Sequence, residues 1–260
     1  MTGKLKYGIS AFAAYAVLAF LYFPLVIIIW YSFNGEPTNA FPIRVYSTKW
    51  YTVLFHDQAL LRTVYNSVKV AIIATLVALL LGIPAAYAMH KFPFTGKKIL
   101  QRIVLMPITL PGIVTGVSML SFLPLLGIKL SLTAVAIGHI TFLIAIVITQ
   151  LLARFKRLDP FLEQAAFDLG ATPFKAFIKV VLPNIRTAII GAVLLCLVLS
   201  MDEIPVTFFL IARENTLPIE IYGMMRRGIT PEVNAISTLI FIVSATAILL
   251  SMRLNKQQDQ

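Results

Sequence analysis

The stretch RFKRLDPFLEQAAFDLGATPFKAFIKVVLP, residues 154–183, is the longest polar, helix-competent segment in a chain otherwise made of apolar runs. It carries Arg154, Lys156, Arg157, Lys175 and Lys179 beside Asp159, Glu163 and Asp168. Pro160 and Pro173 each fit the first turn of a short helix, where a missing N–H costs nothing. Gly170 fits the joint between two such helices, and Thr172 fits a cap on the second. The spacing predicts a compact two-helix loop. Its shape alone leaves two readings open: a docking surface held outside a membrane, or an ordinary loop whose charges only fix topology.

The rest of the chain decides what that loop hangs from. Of 260 residues, 59% are hydrophobic and 13% charged, with a mean hydropathy of +0.88. A soluble domain carries about 25% charged residues. That deficit, with several apolar runs near membrane-spanning length, predicts an integral membrane protein. The formal charge of +11 does not require nucleic acid, because the basic residues lie in loops between spans. Cys196, the single cysteine, excludes an internal disulfide and a cysteine-built metal site. The first apolar run is too long for a signal-peptide core and has no small-residue cleavage site after it.

Six spans are predicted, at about 11–33, 64–89, 103–123, 131–152, 185–211 and 230–252. Pro107 and Pro111 predict that the third is bent or broken, which is tolerable where protein lines a cavity. Gly112 and Gly116, four apart, share a helical face and permit close approach of another helix. Thr230, Pro231 and Glu232 read as cap, first-turn proline and first-turn acid of the sixth helix. One side of this arrangement collects Lys4, Lys6, Lys91, Lys97, Lys98, Arg102, Arg154, Lys156, Arg157, Lys175, Lys179, Arg186, Arg253 and Lys256, fourteen of the 22 basic residues. That side is expected to be cytoplasmic, with both termini and the 154–183 loop on it. The expected fold is all-α, a single membrane domain over 1–260.

Asp202 and Glu203 stand out within LLCLVLSMDEIPVTFFL. An acid at the centre of a spanning helix costs about 2.5–3.5 kcal/mol on the insertion scale, so such groups face protein or water. Consecutive helical residues point about 100° apart, so only one would face a given lumen. Pro205 would open the backbone there. The pair is either a cation-attracting position on a translocation path or a structural pair held by other helices or by surface water. His139 either bonds across helices or lines a path. Tyr222, Arg226 and Arg227 either touch a delivery protein or substrate, or form solvated surface. No histidine and acid spacing resembles a hydrolytic metal site, and no GxxxxGK[ST] phosphate loop is present. The chain is therefore not expected to be an enzyme, and any nucleotide must be bound by another subunit.

With these residues placed, LEQAAFDLGATPFKAFIKVVLPN resembles the cytoplasmic signature of permeases in ATP-binding-cassette importers, whose pattern is Glu-Ala-Ala, three residues, Gly, nine residues, Ile, one residue, Leu-Pro. Ala165, Ala166, Gly170, Leu182 and Pro183 fall in register. Val180 replaces the isoleucine, and Gln164 stands where the glutamate is expected, with Glu163 one residue earlier. SMDEIPVTFF and LPIEIYGMMRRGITPEVNAISTL look like the second permease of spermidine/putrescine-type importers; LPGIVTG and GHITF are similar to the same group.

The resemblance implies a type I importer permease fold in a bacterial inner membrane. It implies a second homologous permease, two ATPase subunits that bind ATP and Mg²⁺, and an extracytoplasmic solute-binding protein. The 154–183 loop, with Glu163, Gln164, Ala165, Ala166, Asp168, Gly170, Leu182 and Pro183, would seat a coupling helix on an ATPase. Polycationic cargo suits carboxylates and aromatic faces, here Asp202, Glu203, Phe208 and Tyr222. The alternative within the class is a permease for another small solute, such as an amino-acid-like or phosphonate compound. A membrane enzyme or scaffold without transport, and a free-standing secondary transporter, lack support in the residues.

Overall fold

The computed structural model describes residues 2–256, with side chains described for 11–246. The side chains of Lys4, Lys6, Arg253 and Lys256, and residues 257–260 of the polar tail, lie outside that part. Apart from an isolated bridge between Asn34 and Tyr46, the regular elements of the described chain are helices. In order it forms α1 (Thr2–Tyr31), α2 (Lys49–His56), α3 (Gln58–Lys91), α4 (Lys97–Thr109), α5 (Gly112–Phe122), α6 (Leu132–Phe155), α7 (Phe161–Asp168), α8 (Pro173–Ala176), α9 (Leu182–Asn184), α10 (Arg186–Met201), α11 (Pro205–Leu210), α12 (Leu217–Arg227) and α13 (Pro231–Lys256). A 3₁₀ turn, Leu123–Leu126, follows α5, and a π-helical turn, Phe177–Val181, joins α8 to α9.

Three stretches among the described residues are long and apolar enough to cross a bilayer by themselves: Ala11–Tyr31, Gln58–Lys91 and Leu132–Phe155. The last, at 24 residues, is about 36 Å long at 1.5 Å per residue, against about 30 Å of hydrocarbon. Two more spans arise if bent pairs count as one each. Lys97–Thr109 and Gly112–Leu126 meet at 102°, and Pro173–Asn184 and Arg186–Met201 at 70°. The protein is thus an all-α, multi-pass membrane protein with three clear spans and up to five. Within α13, the stretch Pro231–Thr246, where side chains are described, is apolar.

The bends sit where the chain lacks a donor. Pro111 has no N–H to return to Pro107, so α4 ends and α5 starts afresh from the Pro111 carbonyl, which takes Val114 N–H at 2.9 Å. Pro205 likewise has no N–H for Met201, and α10 stops there. The expected continuous span over 185–211 is therefore two helices with a break at residues 202–204. A second correction concerns 212–230, expected as a loop. Residues Leu217–Arg227 are helical, with Leu217 and Ile219 buried at the start and Pro218 suited to the first turn.

The chain divides into two compact units, residues 1–61 with 221–260, and residues 62–220. In the first, α13 packs on α1 and α2. The segment between α1 and α2 is tied down by the buried Asn34. Its amide donates to Thr38 O at 2.9 Å, its carbonyl takes the Trp50 indole N–H at 2.7 Å, and its side-chain oxygen takes Glu36 N–H at 3.0 Å. The Asn234 amide reaches Asn39 Oδ1 at 3.1 Å.

The second unit has two apolar cores. In one, Ala74, Ala78 and Ala86 of α3 meet Leu143, Val147, Ile148, Leu151 and Phe155 of α6, with Val181, Ile185 and Cys196. In the other, Val70, Leu123, Ala134, Val135 and Ala136 enclose Val206 and Leu210 of α11. Small residues set the approach. A β-carbon on Gly116 would lie 2.7 Å from Phe209 Cδ2 and 3.1 Å from the Pro205 carbonyl. One on Gly138 would lie 2.7 Å from both Leu210 Cδ1 and Val206 Cγ1. The face shared by Gly112 and Gly116 is thus the seat of α11, as the four-residue spacing predicts.

Gly138→Leu therefore overpacks the α6–α11 contact and should cost about 1–3 kcal/mol, read as a lower unfolding temperature of the detergent-solubilised protein. Gly191→Ala, where nothing lies within 4 Å, should leave that temperature unchanged or raised. Equal losses in both would contradict the packing argument.

Candidate functional site

Two places in the second unit gather polar residues. The first is the break between α10 and α11. Asp202 closes α10, its N–H bonding Val198 O at 3.2 Å, and its side chain is exposed. Glu203 is half-buried, and its Oε1 accepts the Val206 N–H at 2.6 Å. The carboxylate therefore satisfies one of the donors that the first turn of α11 leaves free. The two acids do not sit on adjacent faces of a helix, as the sequence led us to expect. They occupy the break itself, one toward open space and one folded back onto α11. Gly112 stands beside them: a β-carbon there would lie 3.0 Å from Pro205 Cβ and 3.7 Å from Glu203 Oε1.

His139 of α6 spans this break from behind. Its Nδ1 lies 2.7 Å from Ser200 Oγ on α10 and its Nε2 2.8 Å from Thr207 Oγ1 on α11. All three residues are buried. A neutral imidazole donates from one nitrogen and accepts at the other, so one hydroxyl gives a proton and the other receives one. Of the two roles open to His139, the geometry shows the bond across helices. Phe208 on α11 is 49% exposed and meets Phe209 edge to face with centroids 5.4 Å apart. Tyr222 lies on α12 within the other unit, its ring 5.9 Å from the Arg226 guanidinium carbon. The structure gathers Asp202, Glu203 and Phe208 in one place and leaves Tyr222 in a separate unit.

The second place is the 154–183 loop, which folds as local chemistry dictates. The Asp159 carboxylate takes Phe161 N–H at 2.9 Å and opens α7. At its end, Ala171 N–H returns to Ala166 O at 2.9 Å and Gly170 N–H to Phe167 O at 2.8 Å. These two bonds form a Schellman stop, and Gly170 adopts φ +82°, where a β-carbon is strained. Thr172 caps α8 with its side chain, accepting Lys175 N–H at 3.4 Å. Arg154 Nη2 closes the base of the loop on Asn184 O at 2.9 Å.

The signature residues divide by exposure. Gln164, Ala165, Asp168, Gly170 and Pro183 are exposed, Leu182 is half-buried and Ala166 is buried. Phe161, Leu169 and Phe174 are 70%, 89% and 74% exposed, far more than apolar side chains at a finished surface usually are. Glu163 is engaged within the chain. It accepts from Lys91 Nζ at 2.8 Å and from the Tyr87 hydroxyl. The Lys91 and Glu163 side chains are only 25% and 20% exposed, so the pair is largely withdrawn from water. Tyr87, Lys91, Ser200 and Thr207 did not stand out in the sequence. The only sign was that Tyr87 and Lys91 share a helical face, four residues apart. No group of three or more His, Cys, Asp or Glu able to hold a metal occurs among the described residues.

A protein-family model described as "Binding-protein-dependent transport system inner membrane component" matches residues 78–260. The spermidine/putrescine transport system permease protein PotC of Escherichia coli K12 is 32% identical over 248 residues, covering 94% of this chain and 93% of that protein. The putrescine transport system permease protein PotI of the same organism is 34% identical over 251 residues, covering 92% and 89%. Among solved structures, a bacterial ABC transporter involved in import of the acidic polysaccharide alginate superposes with a TM-score of 0.73 at 16% identity, over 98% of this chain and 97% of that one. A bacterial alginate ABC transporter in complex with a pentasaccharide-bound periplasmic protein gives 0.74 at 18%, over 95% and 91%. The likeness to these two is one of fold.

His139→Phe should leave the Ser200 and Thr207 hydroxyls buried without partners, at about 1–3 kcal/mol each. The measurement is thermal unfolding in detergent. Adding Ser200→Ala and Thr207→Val to His139→Phe should restore part of the loss, since removing both partners is nearly neutral. No recovery in the triple variant would speak against the clasp.

Proposed function

We propose, from the premise that this chain belongs to the family of binding-protein-dependent transport system inner membrane components, that it is the permease subunit of an ATP-driven importer for spermidine/putrescine-like polyamines. The observation that carries the reading is similarity to spermidine/putrescine and putrescine permeases along nearly the full length of both chains. The break at Asp202 and Glu203 supports it chemically. It puts an exposed carboxylate and a half-buried one at a helix interruption, with an exposed Phe208 on the short helix that follows. A flexible polycation is met by charge and by aromatic faces, each contact weak enough to let it leave.

In this reading the chain crosses the inner membrane six times with both termini in the cytoplasm. The bent α4–α5 pair is the third span, α10 with α11 forms the fifth, and α13 is the sixth. The 154–183 loop faces the cytoplasm and docks on an ATPase through α7 and its exposed Gln164, Ala165 and Asp168. A homologous permease, two ATPase subunits carrying ATP and Mg²⁺, and an extracytoplasmic binding protein complete the machine. Tyr222, on α12, belongs to the path or to its outer mouth.

The test is uptake into vesicles holding the purified complex, with ATP supplied to the ATPase side and a panel of solutes. Wild type should take up putrescine or spermidine. Asp202→Asn and Glu203→Gln should each lower uptake by about tenfold, equal to ~1.4 kcal/mol, with the complex still assembled. Glu203→Gln keeps an acceptor for Val206 N–H, so it removes charge without removing the cap. Uptake of a phosphonate or amino-acid-like solute and none of polyamines would favour the alternative within the class. Unchanged polyamine uptake in both variants would exclude the two acids from the path. Gly170→Val, which strains the left-handed turn by about 1–2 kcal/mol, should weaken capture of the ATPase; full capture by that variant would sink the docking role of the loop.

A further inference from the structure

We propose that Lys91 is the positioning residue through which the 154–183 loop acts on α3. The inference rests on the docking role of that loop proposed above.

The α7 helix packs on α8 and on the π-helical turn. Ala166 is its one buried residue, and Gln164, Ala165 and Asp168 are exposed. On its inner side, Glu163 and Phe167 stand four apart and share a face. Lys91, the last residue of α3, reaches both. Its Nζ lies 2.8 Å from Glu163 Oε1 and 2.8 Å from the Tyr87 hydroxyl. The same nitrogen lies 5.0 Å from the Phe167 ring centroid and 5.3 Å from that of Tyr87. Tyr87 also hydrogen-bonds Glu163 Oε1. One cation is therefore enclosed by a carboxylate, a phenol oxygen and two aromatic faces, drawn from two elements.

The grip continues into the core. The Tyr87 ring lies 4.6 Å from the Phe177 ring in the π-helical turn and 5.9 Å from that of Phe155 at the end of α6. His90 stacks on Phe155 at 5.3 Å with 16° between planes. The end of α3 is thus packed on α6 and the π-helical turn by rings, and on α7 by a charge. Rings transmit compression but slide readily. A charge-assisted bond also resists pulling apart. Lys91, with the Tyr87 hydroxyl beside it, gives the outward face of α7 a polar link to the spanning helix α3 that carries both pushing and pulling, and of the two only Lys91 brings a charge.

The experiment measures, in vesicles containing the whole complex, moles of solute taken up per mole of ATP hydrolysed. Lys91→Met keeps an unbranched stem of similar length and removes the charge, and Glu163→Gln removes the partner's charge. Each should lower the ratio about tenfold, within the usual range of coupling between sites. Lys91→Arg should stay within about twofold of wild type, since it keeps the charge and its partner. The exchange Lys91→Glu with Glu163→Lys should recover more than either of its single changes. A ratio unchanged in Lys91→Met, or an exchange no better than the worse single change, overturns the inference. A variant that merely unpacks the loop lowers ATPase capture and uptake together and is not rescued by the exchange. Should the wild-type complex move a different solute, the polyamine reading fails and the ratio is measured with that solute. A wild-type chain that captures no ATPase refutes the docking role of the loop instead.

Discussion

At membrane depth no water stands ready to bond a freed N–H or C=O, so a helix that breaks must find partners inside the protein. This chain breaks helices at Leu110–Pro111 and again at residues 202–204, and it brings the two breaks together at Gly112 and Pro205. Glu203 supplies from its side chain the acceptor that the Val206 N–H lacks at the break, and His139 holds the flanking turns by two hydroxyls. The glycines of α5 and α6 then let α11 lie close enough for those bonds to form. Charge, cap and clasp are one construction. Removing the small residues would separate the helices before any polar contact was lost.

How much of this was legible follows from range. The 154–183 loop obeys rules that act within five residues, so Pro160, Gly170, Thr172 and Pro173 marked its helices correctly. The Gly112 and Gly116 face was legible for the same reason. The break after Met201 was not. Pro205 signalled an opened backbone, but apolar periodicity runs on through the segment, and nothing local says that Glu203 folds back onto Val206. The α12 helix was missed because it is short, at 11 residues, and Pro218 and Gly223 within it read as loop punctuation. Lys91 and Glu163 are 72 residues apart, and His139 is 61 and 68 from its partners. Such pairs appear only once the spans are packed.

The two polar places differ in how they hold their charges. Around Glu203 the carboxylate is already occupied by a backbone donor, which leaves Asp202 as the freer of the two. Around Glu163 the carboxylate is met by a cation and a phenol, while the neighbouring Gln164 is left outside. The shift of the glutamate by one residue relative to the importer-permease pattern thus coincides with a turn of the acid inward, onto α3.

The clasp of His139 also acts as a ruler. Ser200 and Thr207 are seven residues apart, yet one imidazole touches both. The chain between them therefore has a fixed contour length. Adding or removing a single residue there would rotate α11 against its glycine seat and take Thr207 out of reach. Along this segment the number of residues is fixed by the distance between the two hydroxyls that one imidazole must reach.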